Sequence, residues 1–171
     1  CDGLGVTLSE AQKALTACFL NPKKQFTIVG QAVQHSLSPA MHNVAYSSCG
    51  LPHVYDTLQA NALSDIHPIL DDEAYGGIAV SLPYKTAVLE YLDEINPEAQ
   101  DINAVNTVVL ERQHQPDGTE RSIRKGYNTD YIGIRNCIYN HLSPANAIRE
   151  GTTALIIGAG GMARAAIYAC Y

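Results

Sequence analysis

The chain has 171 residues, 46% of them hydrophobic and 16% charged, and its 11 basic against 17 acidic residues leave a net charge of −6 at neutral pH. That is the profile of one ordinary globular domain, or one and a fraction. The longest apolar run, Thr153 to Gly158, is far below the roughly 18 to 20 residues that span a bilayer. Basic residues cluster only at Lys23-Lys24 and between Arg121 and Lys125, which argues against direct nucleic-acid binding by this segment.

Along the chain, Thr7-Leu8-Ser9-Glu10 is a capping-box pattern, and Leu8, Ala11, Ala14 and Leu15 recur at helical spacing as far as Cys18, so a short leading helix is predicted. Asn21-Pro22 breaks it, and Phe26 to Val29 is a compact, partly β-branched run closed by Gly30, which predicts a first strand. Ser38-Pro39 reads as an N-cap followed by proline at the first helical position, with a helix to Ser48 and Gly50 as its C-terminal cap. A strand over His53 to Leu58 follows, then a helix over Asp65 to Leu70 capped by Ser64. Next come a buried strand from Gly77 to Leu82 and a helix from Thr86 to Leu92.

Val105 to Leu110 and Ile123 to Tyr127 read as a strand pair joined by the polar loop Gln113 to Glu120, which carries the turn signal Pro116-Asp117-Gly118 and is expected to be disordered. Asp130 then caps a helix whose Ile132, Ile134, Cys137, Ile138 and Leu142 are read as one apolar face, and Ala154 to Ile157 reads as a fully apolar strand. Strands alternating with helices predict an α/β layer fold with a mostly parallel sheet. Residues 1–24 are expected to be a connector with a short helix, 25–128 an α/β domain, and 129–171 the truncated start of a dinucleotide-binding domain. The chain begins Cys1-Asp2-Gly3, with neither an initiator methionine nor a signal or transit pattern, and reads as a piece of a longer polypeptide.

The five cysteines, Cys1, Cys18, Cys49, Cys137 and Cys170, are odd in number and widely spaced, and with the six histidines they form no zinc-type spacing; no metal is assigned, and thiols in a reducing compartment fit best. The predicted last strand runs into Gly158-Ala159-Gly160-Gly161-Met162-Ala163, a G-x-G-x-x-A pattern between strand and helix. In such a turn Gly158 permits the tight bend, Gly160 lets backbone approach a pyrophosphate, and Ala163 allows close helix packing, while the helix N-terminus supplies N–H donors. A plain tight strand-to-helix turn remains the alternative. The acidic or basic residue about 20 positions on, which separates NAD from NADP, would fall beyond Tyr171.

His35-Ser36-Leu37-Ser38-Pro39 places two hydroxyls at the carboxyl edge of a sheet, where α/β folds bind ligands, although Ser38 equally serves as a helix cap and Ser36 as a local turn partner. Val80-Ser81-Leu82-Pro83-Tyr84-Lys85 brings a lysine to a strand end, where it can move a proton or polarise an oxygen; a solvated lysine opening the next helix is the commoner case. Asn103-Ala104-Val105-Asn106-Thr107 and Tyr127-Asn128-Thr129-Asp130 put Asn-Thr pairs at strand ends. Asn106 has the donors and acceptors to meet ligand hydroxyls, and Asp130 can bond a hydroxyl and hold a lysine, or simply cap its helix.

Taken in order, His35-Ser-Leu-Ser-Pro39, Val80-Ser-Leu-Pro-Tyr-Lys85, Ala104-Val-Asn-Thr107, Asn128-Thr-Asp130-x-x-Gly133 and Gly158-Ala-Gly-Gly-Met-Ala163 resemble the shikimate dehydrogenase family over residues 26–171. The resemblance implies a shikimate dehydrogenase-like substrate-binding domain with a mostly parallel sheet, followed by the start of a Rossmann domain. It implies that Lys85 and Asp130 are the catalytic pair, that Ser36 and Ser38 bind the substrate carboxylate, and that Ser81 and Asn106 help hold ring hydroxyls. Gly158, Ala159, Gly160, Gly161, Met162 and Ala163 would take the cofactor, NADP. Two departures stand out: Asn103 occupies a place where the family usually has glycine, and Ser81 one where it commonly has threonine.

The chain looks closest to the fungal branch, where such a domain ends either a pentafunctional aromatic-pathway enzyme or a repressor of quinate utilisation, and residues 2–21 are similar to the connector that precedes it in both. As an enzyme, the parent would interconvert 3-dehydroshikimate and shikimate with NADPH in the cytoplasm. As a regulatory module it would sense quinate or shikimate without turnover, in the cytoplasm or nucleus. Under either reading the expected partners are a small ring acid and the other domains of a longer polypeptide, and the 171-residue piece alone is expected to be inactive.

Overall fold

A computed structural model describes residues 7–18, 22–114, 120–143 and 147–171. The chain divides into two compact units, Cys1–Ser81 and Leu82–Tyr171.

The first unit opens with α1 (Leu8–Ala17), whose capping box forms as expected: the Glu10 carboxylate accepts from the Thr7 N–H at 2.7 Å, and Thr7 Oγ1 accepts from the Glu10 N–H at 3.2 Å. Then come β1 (Gln25–Gly30), α2 (Ser38–Ser48), β2 (Val54–Gln59), α3 (His67–Asp71) and β3 (Tyr75–Val80). Strand β1 pairs in parallel with β2 on one side and β3 on the other, so it is the central strand of the unit and reads as an apolar run rather than an alternating one. Thr27 and Val29 on β1 are fully buried, together with Ile66 and Leu70 around α3.

Helix α2 ends in a Schellman motif. Gly50 adopts φ +68°, the Leu51 N–H reaches the Tyr46 carbonyl at 2.8 Å, and the Gly50 N–H reaches that of Ser47 at 3.1 Å, an arrangement that needs the left-handed residue glycine supplies. Two predicted caps are corrected. Leu37, not Ser38, is the N-cap of α2, and no side chain caps that helix; Pro39 sets the helical φ without one. Ser64 lies within a 3-10 turn (Leu63–Asp65), where Asp65 takes the capping role by accepting the Asn61 and Ala62 N–H groups at 2.9 and 3.0 Å; α3 then begins at His67.

The second unit contains a 3-10 turn over Ala87–Tyr91, tighter than the α-helix expected there, then β4 (Glu94–Ile95), α4 (Pro97–Ile102), β5 (Thr107–His114), β6 (Glu120–Tyr127), α5 (Asp130–His141) and α6 (Gly161–Ala169). Strands β5 and β6 form the antiparallel pair expected, and β4 pairs with β6 in parallel. The 115–119 loop between them lies outside the described residues. Three of the four pairings within the units are therefore parallel, which bears out the mixed α/β class.

Asn96 caps α4, its side-chain oxygen accepting from the Ala99 N–H at 3.1 Å, and Asn103 ends the helix at φ 54°, ψ 43°. Buried Ile102, Ala104 and Ala165 form a small core against which Tyr131, Ile134 and Tyr168 pack. The expected apolar face of α5 is corrected: no α5 residue is fully buried, because Ile132 and Ile134 project about 200° apart on a helix and the packed edge runs through Tyr131 and Ile134. The expected strand Ala154–Ile157 is also corrected. The segment has no regular structure, and Leu155 and Ile157 are 88% and 91% exposed; an apolar run becomes a strand only when a ladder partner takes its backbone groups.

Candidate functional site

Lys85 and Asp130 meet in the second unit. The Lys85 ammonium donates to Asp130 Oδ2 at 2.6 Å, with the two side chains 11% and 16% exposed. A charge-assisted bond of this length in a mostly water-excluded setting is strong, and removing either partner leaves a buried charge uncompensated. The backbone pins the lysine as well, since the Val105 N–H donates to the Lys85 carbonyl at 2.7 Å.

Helix capping does not account for Asp130. Thr129 is the N-cap and Asp130 the first helical residue, so the predicted capping role is corrected. The Asp130 N–H donates to Asn128 Oδ1 at 3.0 Å, while its carboxylate is engaged by side chains. Its Oδ1 accepts from Asn106 Nδ2 at 2.9 Å, so each carboxylate oxygen has a different donor and the group is fixed in orientation.

Asn106 is fully engaged. Its Nδ2 also donates to Thr129 Oγ1 at 2.9 Å, and its Oδ1 accepts from the Thr129 N–H at 3.0 Å and the Thr107 hydroxyl at 2.9 Å. Two donors and two acceptor sites exhaust an amide, so a ligand hydroxyl reaches Asn106 only by displacing one of these partners. Beneath lies Asn128, 2% exposed, whose Nδ2 donates to the Ala104 carbonyl at 2.9 Å. The register explains the cluster: Thr107 of β5 pairs with Tyr127 of β6, and the two Asn-Thr pairs therefore emerge at the same end of the hairpin. Sequence reasoning singled out both pairs but gave Asn128 and Thr129 no role; the repeat of Asn-Thr at paired strand ends is the signal that locates them.

The glycine-rich turn approaches the same lysine. Gly158 has φ +132°, a conformation open to glycine and strained for other residues, as the tight bend demands. A Cβ on Gly160 would meet nothing within 4 Å, whereas one on Gly161 would lie 3.0 Å from Lys85 Cβ and 3.3 Å from Ala104 Cβ. Met162 Sδ is 3.3 Å from Lys85 Nζ. The side chain sequence reasoning gave to the cofactor turn thus contacts the lysine. The N–H groups of Gly161, Met162 and Ala163 at the start of α6, with the open space over Gly160, fit a pyrophosphate in charge and room.

The three predicted serines lie in the first unit. Ser36 Oγ accepts from the Ser38 N–H at 3.2 Å, a local turn bond, and the Ser81 N–H donates to the Val29 carbonyl at 2.7 Å. All three serines are partly exposed. No helix among the described residues is long and apolar enough to cross a membrane.

Comparison with known proteins places the chain. Residues 28–108 match the family model described as the shikimate dehydrogenase substrate binding domain. The chain is 54% identical over 166 residues to the quinate repressor protein of Talaromyces stipitatus, covering 97% of this chain and 20% of that protein. The S. pombe AroM structure of dehydroquinate dehydratase and shikimate dehydrogenase superposes with TM-score 0.75 and 32% identity, over 96% of this chain and 30% of that one. Shikimate 5-dehydrogenase from Thermus thermophilus, in complex with NADP(H) and shikimate, gives TM-score 0.65 and 37% identity over 85% of this chain and 51% of its own. The chain thus spans between about a tenth and a half of the length of the proteins it matches. Motif order, fold and comparisons converge, and residues 28–108 belong to the shikimate dehydrogenase substrate-binding domain family.

Proposed function

We propose that the Lys85–Asp130 pair binds a hydroxylated ring acid of the shikimate type and that, in the intact polypeptide, it serves NADP-dependent interconversion of 3-dehydroshikimate and shikimate. The observation that carries this is the mostly buried 2.6 Å Lys85–Asp130 bond, with Asn106 on the second carboxylate oxygen. A lysine so held has donor capacity to spare and can give a proton to a ring oxygen or take one from it, while Asp130 fixes its position. A bound nicotinamide would carry the hydride. Gly158, Ala159, Gly160, Gly161, Met162 and Ala163 are the residues proposed to hold that cofactor through their backbone.

Ser36 and Ser38 are proposed carboxylate partners and Ser81 a ring-hydroxyl partner, on the strength of the family resemblance. Residues 25–128 are proposed as the substrate domain, with 129–171 opening the nucleotide domain and 1–24 as a connector, in a protein of the cytoplasm.

A second reading has its own support. The 54% identity to a quinate repressor favours a domain that uses the Lys85–Asp130 site to sense quinate or shikimate without turnover, in the cytoplasm or the nucleus. Lysine and aspartate bind hydroxyls as readily as they catalyse, and a shared fold does not settle activity. The deciding experiment is calorimetric titration of the intact polypeptide with shikimate and with quinate, beside a dehydrogenase assay with NADP. Turnover that Lys85→Ala lowers by about 10²- to 10⁴-fold establishes the enzyme. Binding without turnover, lost in Lys85→Ala, establishes the sensor, and binding untouched by Lys85→Ala refutes the site.

A further inference from the structure

A lysine ammonium carries three hydrogens and no acceptor. In Lys85 one is given to Asp130 Oδ2 at 2.6 Å and a second faces Met162 Sδ at 3.3 Å; the third has no partner among the described residues. The four-carbon stem of a lysine is flexible and its ammonium rotates freely, so one strong acceptor alone leaves the other two donors free to turn about that bond. A second acceptor stops the rotation. The Met162 thioether is a weak acceptor, but it is delivered rigidly, because Gly161 packs against the stem of the same lysine and Met162 is the next residue of α6.

We propose that Met162 is a positioning residue for Lys85: its thioether occupies the second ammonium donor, so that the third is presented in one direction to a ligand oxygen. The backbone of Met162 belongs to the glycine-rich turn, while its side chain belongs to the lysine. This inference rests on the reading of Lys85 and Asp130 as the ring-acid site.

The test separates acceptor chemistry from space filling. Met162→Leu keeps the volume and removes the acceptor, whereas Met162→Gln keeps the length and supplies a carbonyl oxygen. Met162 is 42% exposed, so both variants are expected to fold, as thermal melts will check. Calorimetric titration of the intact polypeptide with shikimate and quinate should show Met162→Leu weakening the dissociation constant about three- to tenfold, the range expected for one hydrogen bond, with Met162→Gln within about twofold of the parent. A residue that merely fills space gives the reverse order. Wild-type affinity in Met162→Leu, or an equal loss in both variants, overturns the inference. Lys85→Ala, run in parallel, separates the two levels: if it binds like the parent, the ring-acid reading fails and this inference with it. If it loses binding while Met162→Leu does not, only the role of Met162 falls.

Discussion

Asn103 shows how one side chain can stand in for a missing glycine. It ends α4 at φ 54°, a left-handed conformation that costs most L-residues roughly 1 to 2 kcal/mol and asparagine least among the non-glycine residues. The departure from the family pattern that the sequence displays is therefore accommodated in the backbone, and Asn103 is exposed. The two adjacent glycines of the glycine-rich turn make an opposite pair. An added Cβ at Gly160 meets open space, while at Gly161 it presses on Lys85 and Ala104. Overpacking costs about 1 to 3 kcal/mol, offset in part by the about 1 kcal/mol that alanine gains over glycine in a helix. Urea denaturation should therefore find Gly161→Ala less stable by about 1 kcal/mol, and Gly160→Ala within about 0.5 kcal/mol of the parent; equal effects would refute the steric assignment.

The elements of the first unit are tied by a contact that no periodicity reveals. Strand β2 pairs on one side only within its unit, with β1, and Asn43 of α2 supplies a substitute partner: its Nδ2 donates to the Tyr55 carbonyl and its Oδ1 accepts from the Tyr55 N–H, both at 2.8 Å. Asn43→Ala leaves both backbone groups of a buried residue unpaired, and a loss of about 1 to 3 kcal/mol in unfolding free energy is expected; an unchanged urea midpoint would show that water replaces the amide without cost.

Elements of this kind mark the limit of what the sequence discloses. Strands β1, β2, β3, β5 and β6 and helices α1, α2, α5 and α6 were legible because apolar runs, a capping box, a proline and glycines announce them locally. Ser38 and Ser64 misled because a hydroxyl before a helix resembles a cap whether or not its oxygen turns inward. Ala154 to Ile157 misled because a strand requires a neighbour, which composition does not report. Lys85 and Asp130 were found through motifs, but the engagement of Asn106 with Thr129, and of Met162 with Lys85, depends on hairpin register and helix placement that only the folded backbone fixes.

For the molecule as a whole, pH should act on stability from both ends through the aromatic region of the first unit. His53, ringed by Phe26 and Tyr46, accepts the Lys24 N–H on Nδ1 at 3.2 Å, and burial, with the Lys24 charge second, holds its pKa below the ordinary 6.5. The unfolded chain thus takes up the proton first, so this contribution is full above pH 6.5 and is lost as pH falls through the lowered native value. Tyr55 lies at the opposite limit. Burial, followed by Tyr46 and Asp56, pushes its hydroxyl up to about 12 from 10; its contribution is full below pH 10 and is lost as pH rises towards 12. Urea midpoints measured from pH 5 to 11 should fall at both ends. His53→Gln should flatten the acid limb near the histidine range and Tyr55→Phe the alkaline limb, and slopes unchanged by these variants would place the titrating groups elsewhere.

The separation of Lys85 from Asp130, 45 positions along the chain, also sets an order of events in the cell. On a ribosome adding about 5 to 20 residues per second, the lysine emerges seconds before its carboxylate, with the whole β5–β6 hairpin still to come between them. Antiparallel closure of that hairpin carries Asn106 to Thr129 and Asp130, and only then is the lysine's charge matched. The Lys85–Asp130 bond is thus a late product of folding, and a nascent chain stalled before residue 130 should leave the Lys85 side chain without its carboxylate.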